Sequence, residues 1–388
     1  MERACGARTR PAALAACAII ALFVCLLQTG GSGGTRATRP RDAVADKAFS
    51  RAVHAPPPPP CSAAAASRVC APGTFLRYEP SALESEWLAG GDVWAADVCG
   101  KLAEPAQRAS AQAWLDAARA TQGDASAPLQ SGGAMKRVLS HLVFAGDTAG
   151  SEARVAVHPL AGLMRDPRPV CPQLNLEPLG ATWIVTTAHL VLDPLAFALA
   201  RKAVAAAPER RAILIDAGST AWRTPPPQGA APGDPIVGLE WLVNAYASRG
   251  VTFDDIFAWE ATQKPASTYF AGMPPAIVAA THFYNVPVDA ERNSAHNPIE
   301  LLKSVSTPAD FVVFKLDIDT EALEEALVLQ LLEDDVAAAL VDVLYFEHHT
   351  SVPAMRPYWG DVDRRSHNDS ASLFAALRRR GIQAQSWP

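Results

Sequence analysis

From residue 210 onward the sequence predicts an α/β fold with a doubly wound, mostly parallel sheet. Three observations carry that reading. Short, continuous apolar runs recur at strand length, as in strands buried on both faces. Amphipathic helix patterns fall between them, which makes βαβ units. The strands also end in acids, so polar groups gather at one sheet edge, where the ligands of such sheets bind.

The first strand is Ala212-Ile213-Leu214-Ile215, ending at Asp216-Ala217-Gly218-Ser219. A loop rich in proline follows, with Pro232 and Pro235 within it. Leu239, Leu242, Val243 and Tyr246 then recur at helical spacing and define an inward face. Residues 253–259 form a second strand, ending at Glu260, and a third lies around 277–283. Residues 311–316 form a fourth, ending at Asp317-Ile318-Asp319. Residues 321–340 read as one helix with acids in its first turn, where the helix dipole favours them. Residues 341–346 form a fifth strand, ending at Glu347-His348-His349. Ser370 caps a last helix that runs to Arg379, with Leu373, Phe374 and Leu377 inward, and Gly381 stops it.

The first 209 residues are organised differently. Residues 1–41 hold six arginines and one acid, while the whole chain carries a net charge of -6. Between the arginine clusters an uncharged apolar run fills residues 12–27. With its flanks (11–29) it is long enough for a short membrane span, with residues 1–10 as a cytoplasmic tail. That makes a type II signal anchor with a body in the Golgi or endoplasmic reticulum lumen; the alternative is a cleaved signal and a secreted body. Residues 30–60 read as a stem that ends in five consecutive prolines, an extended polyproline segment. Residues 61–209 read as a loop-rich cap, with helices at 106–120 and 194–207 and β-rich sequence at 182–191. Beyond the anchor lie four cysteines, Cys61, Cys70, Cys99 and Cys171. An even count after a secretory segment fits two disulfides in any of three connectivities, or four buried thiols. Asn368-Asp369-Ser370 is a glycosylation acceptor sequence.

Composition narrows the function. Hydrophobic residues are 49% and charged residues 19% of the chain, which excludes wholesale disorder. The acidic balance and the lack of a basic, aromatic-interleaved stretch exclude an electrostatically driven nucleic-acid binder. What remains is the acid-ended sheet edge. Gly218 after the first strand lets backbone approach a ligand, and Glu260 after the second can accept ribose hydroxyls. Taken singly, each is also an ordinary turn glycine or a solvated loop acid.

At residues 315–321, Lys-Leu-Asp-Ile-Asp-Thr-Glu, the chain resembles the FkbM-type methyltransferases, which use S-adenosylmethionine. Ile215-Asp216-Ala217-Gly218-Ser219 is similar to their first strand and cofactor loop, and Phe257-Ala258-Trp259-Glu260 to their second strand and ribose acid. Asn285-Val286-Pro287-Val288 matches a strand-ending segment, and Phe346-Glu347-His348-His349 matches the fifth-strand glutamate and histidine. The likeness covers about residues 210–350 and departs at two points. The cofactor loop lacks further glycines and carries the proline insert, and Thr320 stands where the family has glycine.

The resemblance implies a Rossmann-like, class I methyltransferase-like domain over 210–388. It implies Asp216, Ala217, Gly218, Ser219 and Glu260 as cofactor-binding residues. Asp317, Glu347 and His348 become the catalytic candidates, with Asp317 facing the sulfonium or acceptor and His348 as a general base. It assigns no metal. The partners are then a small-molecule cofactor and a glycan or other hydroxyl acceptor, with membrane contact through the N-terminal helix only. Two other readings stay open. Asp317-Ile318-Asp319 is also a DxD, which in a type II lumenal protein resembles a Golgi glycosyltransferase that holds a metal and a nucleotide sugar. The third is a methyltransferase-like fold without catalysis.

Overall fold

The computed structural model describes residues 40–56, 73–106, 109, 139–148, 150–160, 210–223, 238–353, 356 and 364–387. The anchor, stem residues 30–39 and 57–60, all of the helix expected at 106–120 except residues 106 and 109, and the segments at 182–191, 194–207 and 225–235 lie outside them. Stem residues Pro40–His54 form a helix rather than extended chain. Among the described residues no helix is long and apolar enough to cross a membrane. The chain divides into two units, 1–48 and 49–388. Of the first, the described part is the opening of helix α1 (Pro40–His54).

The second unit starts with strand β1 (Phe75–Glu79) and three short helices, α2 (Ala82–Leu88), α3 (Gly91–Ala96) and α4 (Val98–Ala103). Strands β2 (Ser140–Ala145) and β3 (Glu152–Val157) follow. The main body holds β4 (Ala212–Ala217), α5 (Leu239–Ala247), β5 (Asp255–Trp259), α6 (Ala266–Tyr269), α7 (Pro275–Ala280) and β6 (Thr281–Tyr284). It continues with α8 (Pro298–Val305), β7 (Phe311–Leu316), α9 (Glu321–Glu333), α10 (Asp335–Leu340), β8 (Val343–Phe346), α11 (His367–Arg378) and β9 (Gln383–Ser386).

The last six strands make one sheet in the order β6-β5-β4-β7-β8-β9, and each neighbouring pair is parallel. This is the α/β doubly wound, Rossmann-like arrangement, with strand order reversing between β4 and β7. Both faces are covered. On one, Ile213, Ile215, Val312, Phe314 and Leu344 meet α8, α9, α10 and α11, with Phe49 and Val53 of α1. On the other, Leu214, Val313 and Tyr345 meet α5 and the small antiparallel sheet β1-β2-β3 through Leu142, Phe144, Val155 and Val157. A buried network ties that small sheet to α11. Arg378 donates to Tyr78 Oη at 2.8 Å and to Glu84 Oε2 at 3.3 Å, and Glu84 also accepts from Ser140 Oγ at 2.7 Å.

Several elements differ from their sequence expectation. The third strand is shorter and later. Pro275 opens helix α7, because its fixed φ suits a first helical position, and the strand starts only at Thr281. The long helix breaks at Asp334, whose carboxylate accepts from Val336 N at 2.9 Å and Ala337 N at 3.1 Å and so starts α10. The cap of α11 is Ser366 rather than Ser370, in a capping box with Asp369. Strand β9 and the three strands of the cap sheet are absent from the sequence reading. The Gln-Ala-Gln-Ser of β9 has no apolar run to mark it, yet it is buried throughout.

Cys99 is disulfide-bonded, and the other three body cysteines lie outside the described residues. Asn368 opens the first turn of α11, with its Nδ2 donating to Asp92 at 2.9 Å and Ser370 buried behind it. Access to that acceptor amide requires the Asp92 bond to open.

Candidate functional site at the carboxyl edge of the sheet

Strand pairing places Asp216 of β4 directly beside Lys315 of β7. Both side chains leave the same face as Leu214 and Val313, since side chains alternate along a strand. Asp216 is 1% exposed and Lys315 2%. Lys315 Nζ lies 3.5 Å from Asp216 Oδ1 and 3.0 Å from Asp317 Oδ2, donates to Gly218 O at 2.6 Å, and sits 5.5 Å over the Trp387 ring. Burial works against its charge. Asp317 and Asp216, with Glu347 behind them, outweigh it and hold the ammonium above the ordinary lysine range. Asp216 Oδ2 is buried and has no hydrogen-bond partner among the described residues.

Gly218 has φ +85°, and a Cβ there would lie 1.5 Å from Asp317 O. The glycine therefore lets the β4 turn press against the end of β7. Gly218 N and Ser219 N both donate to Trp259 O, at 3.1 and 2.7 Å, and Ser219 Oγ pairs with Tyr269 Oη at 2.7 Å. Ala217 is buried and its carbonyl accepts from Asp317 N at 3.0 Å. Glu260 accepts from Thr262 N at 2.7 Å and pairs with Lys264. Asn285 braces that turn, with its Nδ2 donating to Glu260 O at 2.7 Å.

The carboxylates gather between the ends of β7 and β8. Burial, then the Glu347 charge, push Asp317 up to about 6 against the pull of Lys315. Burial also pushes Glu324 up to about 8, although its Oε1 accepts from Ile318 N at 2.8 Å. His349 Nε2 lies 3.5 Å from Glu347 Oε1, and His349 Nδ1 4.0 Å from Glu321 Oε1. Burial opposes charge on His349, but Glu347, Glu324 and Glu321 raise it above the usual histidine value.

His348 is placed elsewhere. Its ring stacks on Phe346 at 5.0 Å and its Nδ1 pairs with Ser370 Oγ at 3.0 Å. Burial and then Arg365 push it down to about 3, so it does not titrate near neutral pH. Alternation explains the exchange: His348 continues the Phe346 face, while Glu347 and His349 share the other. The structure thus brings Asp216, Gly218, Asp317 and Glu347 together and substitutes His349 for His348. The sequence reading held Lys315 only as a flanking residue, and Glu324 went unnoticed in it. A lysine inside an apolar strand was the signal for the first.

Glu324 makes a prediction about stability. The unfolded carboxyl titrates near 4.5 and the folded one near 8. Between these values the folded state holds a proton that the unfolded state has lost, so stability falls as pH rises through that window. Glu324→Gln keeps the acceptor oxygen and removes the titration. In urea unfolding with chelator present, the variant is expected to match the native chain at pH 4.5 and to exceed it at pH 8 by ~2 kcal/mol.

Comparison of the chain with protein-family models, curated proteins and solved structures gave no match.

Proposed function

We propose that this chain is an S-adenosylmethionine-dependent, methyltransferase-like protein that transfers a methyl group to a hydroxyl oxygen, on a glycan or another lumenal acceptor. The observation that carries the reading is the buried Asp216 carboxylate, whose unpartnered Oδ2 sits where strand order reverses. Ligands of doubly wound sheets bind in that crevice. The local charge selects among them. Gly218 N and Ser219 N are committed to Trp259 O, so neither serves as a phosphate donor. The edge is acidic, which suits a cofactor carrying a sulfonium and an ammonium and lacking phosphate. The FkbM-type resemblance over 210–350 points to the same cofactor, and the Cys99 disulfide supports an oxidising compartment.

S-adenosylmethionine supplies a methyl group already activated on sulfur, so alignment is the main requirement. With the cofactor bound, Asp216 Oδ2 would accept from its ammonium, and Glu260, released from Lys264, would accept from the ribose hydroxyls. Asp317 would take the proton of the acceptor hydroxyl as the hydroxyl oxygen gains the methyl group from sulfur. Its raised pKa suits a base that works near neutral pH.

The test is transfer of isotope-labelled methyl from S-adenosylmethionine to a panel of soluble glycans. The expected result is label on the acceptor oxygen, with kcat lowered about 10²–10⁴-fold in Asp317→Asn. Label transfer that is unchanged in Asp317→Asn would remove the base, and hydrolysis of a nucleotide sugar with no methyl transfer would overturn the reading.

A further inference from the structure

Asp319, Glu347 and His349 converge on one point of the carboxyl edge. Asp319 comes from the turn after β7, and the other two from the segment after β8. One donor atom of each lies within 4.8 Å of the other two. An ion between them reaches the ~2.0–2.2 Å typical of first-row metal bonds to nitrogen and oxygen once the three side chains draw in by roughly half an ångström. Glu347 is 8% exposed and anchors the set from below, while Asp319 is exposed and opens it to solvent.

The charge of the surroundings is compatible with a cation there. Asp317, Glu321, Glu324 and Glu347 interact with one another through Lys315 and His349, and Asp216 belongs to the same network. Carboxyl groups thus outnumber cationic side chains around the three ligands. Buried charges are paired or bound to metal.

We propose that Asp319, Glu347 and His349 hold a divalent first-row cation with open coordination positions at the carboxyl edge. One imidazole and two carboxylates without a thiolate select Mn²⁺ or Zn²⁺ over copper(I) and over the all-oxygen sites of calcium. The ligand set differs from a DxD pair. Asp317 is bound to Lys315 and stays outside it, so the metal joins the end of β7 to the end of β8. Three protein ligands leave room for oxygen ligands from outside. The ion stands without the methyl-transfer reading. Its further role, taking the oxygens of a vicinal diol so that one hydroxyl lies beside Asp317, rests on that reading.

The experiment is titration of the full chain with Mn²⁺ in the absence of S-adenosylmethionine, followed by the loss of the free-ion electron paramagnetic resonance signal. The proposal expects a single ion per chain, with affinity lowered at least about tenfold in Asp319→Asn and in His349→Ala. Asp319 is exposed, and asparagine tolerates its φ of +54°, so that variant keeps its fold. Asp335→Asn, at an exposed acid on α10, is expected to bind as the native chain does. Absence of binding, or binding that survives both Asp319→Asn and His349→Ala, overturns the site. Binding lost in Asp319→Asn but kept in His349→Ala overturns the ligand set in favour of the DxD pair. Cofactor binding is measured separately with chelator present, so either reading can fail alone.

Discussion

Gly218→Ala is expected to destroy the carboxyl edge. The added Cβ would stand 1.5 Å from Asp317 O, and the backbone at φ +85° disfavours any side chain. Asp317 O belongs to backbone and cannot rotate away. Relief requires the β4 turn to lift off the end of β7. That lift would break the Lys315 bond to Gly218 O and the pair of bonds that Gly218 N and Ser219 N make to Trp259 O. Strain of this kind costs about 1–3 kcal/mol before the lost contacts are counted. The total expected loss is on the order of 4 kcal/mol, read by urea unfolding. Ligand binding is expected to vanish even where the variant folds. A variant with native stability would mean that the turn sits elsewhere.

Lys315→Met is the second large effect. Lysine stands between Asp216 and Asp317 with 3% of its side chain exposed. Methionine fits the same channel over Trp387 but leaves two carboxylates facing each other without a cation. Removing one partner of a buried ion cluster costs about 3–5 kcal/mol, because the remaining charge stays desolvated. The double variant Lys315→Met with Asp216→Asn removes one of those charges. It is expected to recover more than half of the loss, which a double-mutant cycle in urea would read. Equal loss in the single and double variants would show that lysine acts through packing alone.

The two variants also mark what was legible in the sequence. Ile213-Leu214-Ile215 and Phe311-Val312-Val313-Phe314 announce strands buried on both faces, because no polar residue interrupts them. The acids that follow place the site at the strand ends. Gly218 was legible as a turn residue, but its pressure on Asp317 O needs the β4–β7 register. The choice between His348 and His349 was open to a reading of strand parity: Phe346 and His348 share one face, Tyr345 and Glu347 the other. Strand β9 was illegible, since Gln383, Gln385 and Ser386 are buried by neighbours far away in sequence rather than by their own apolarity. The cap sheet was hidden for a related reason. Strand β1 pairs with β2 across more than 60 residues, and the buried polar network of Glu84, Ser140 and Arg378 resembles a surface until the partners are known.

The central claim is that the carboxyl edge around Asp216 receives S-adenosylmethionine. Calorimetric titration of the full chain with that cofactor, in chelator, tests it most directly. The account predicts saturable binding of one cofactor per chain, abolished by Asp216→Asn and weakened by Glu260→Gln. A folded chain that gives no heat with S-adenosylmethionine, or binding that survives Asp216→Asn, would contradict it.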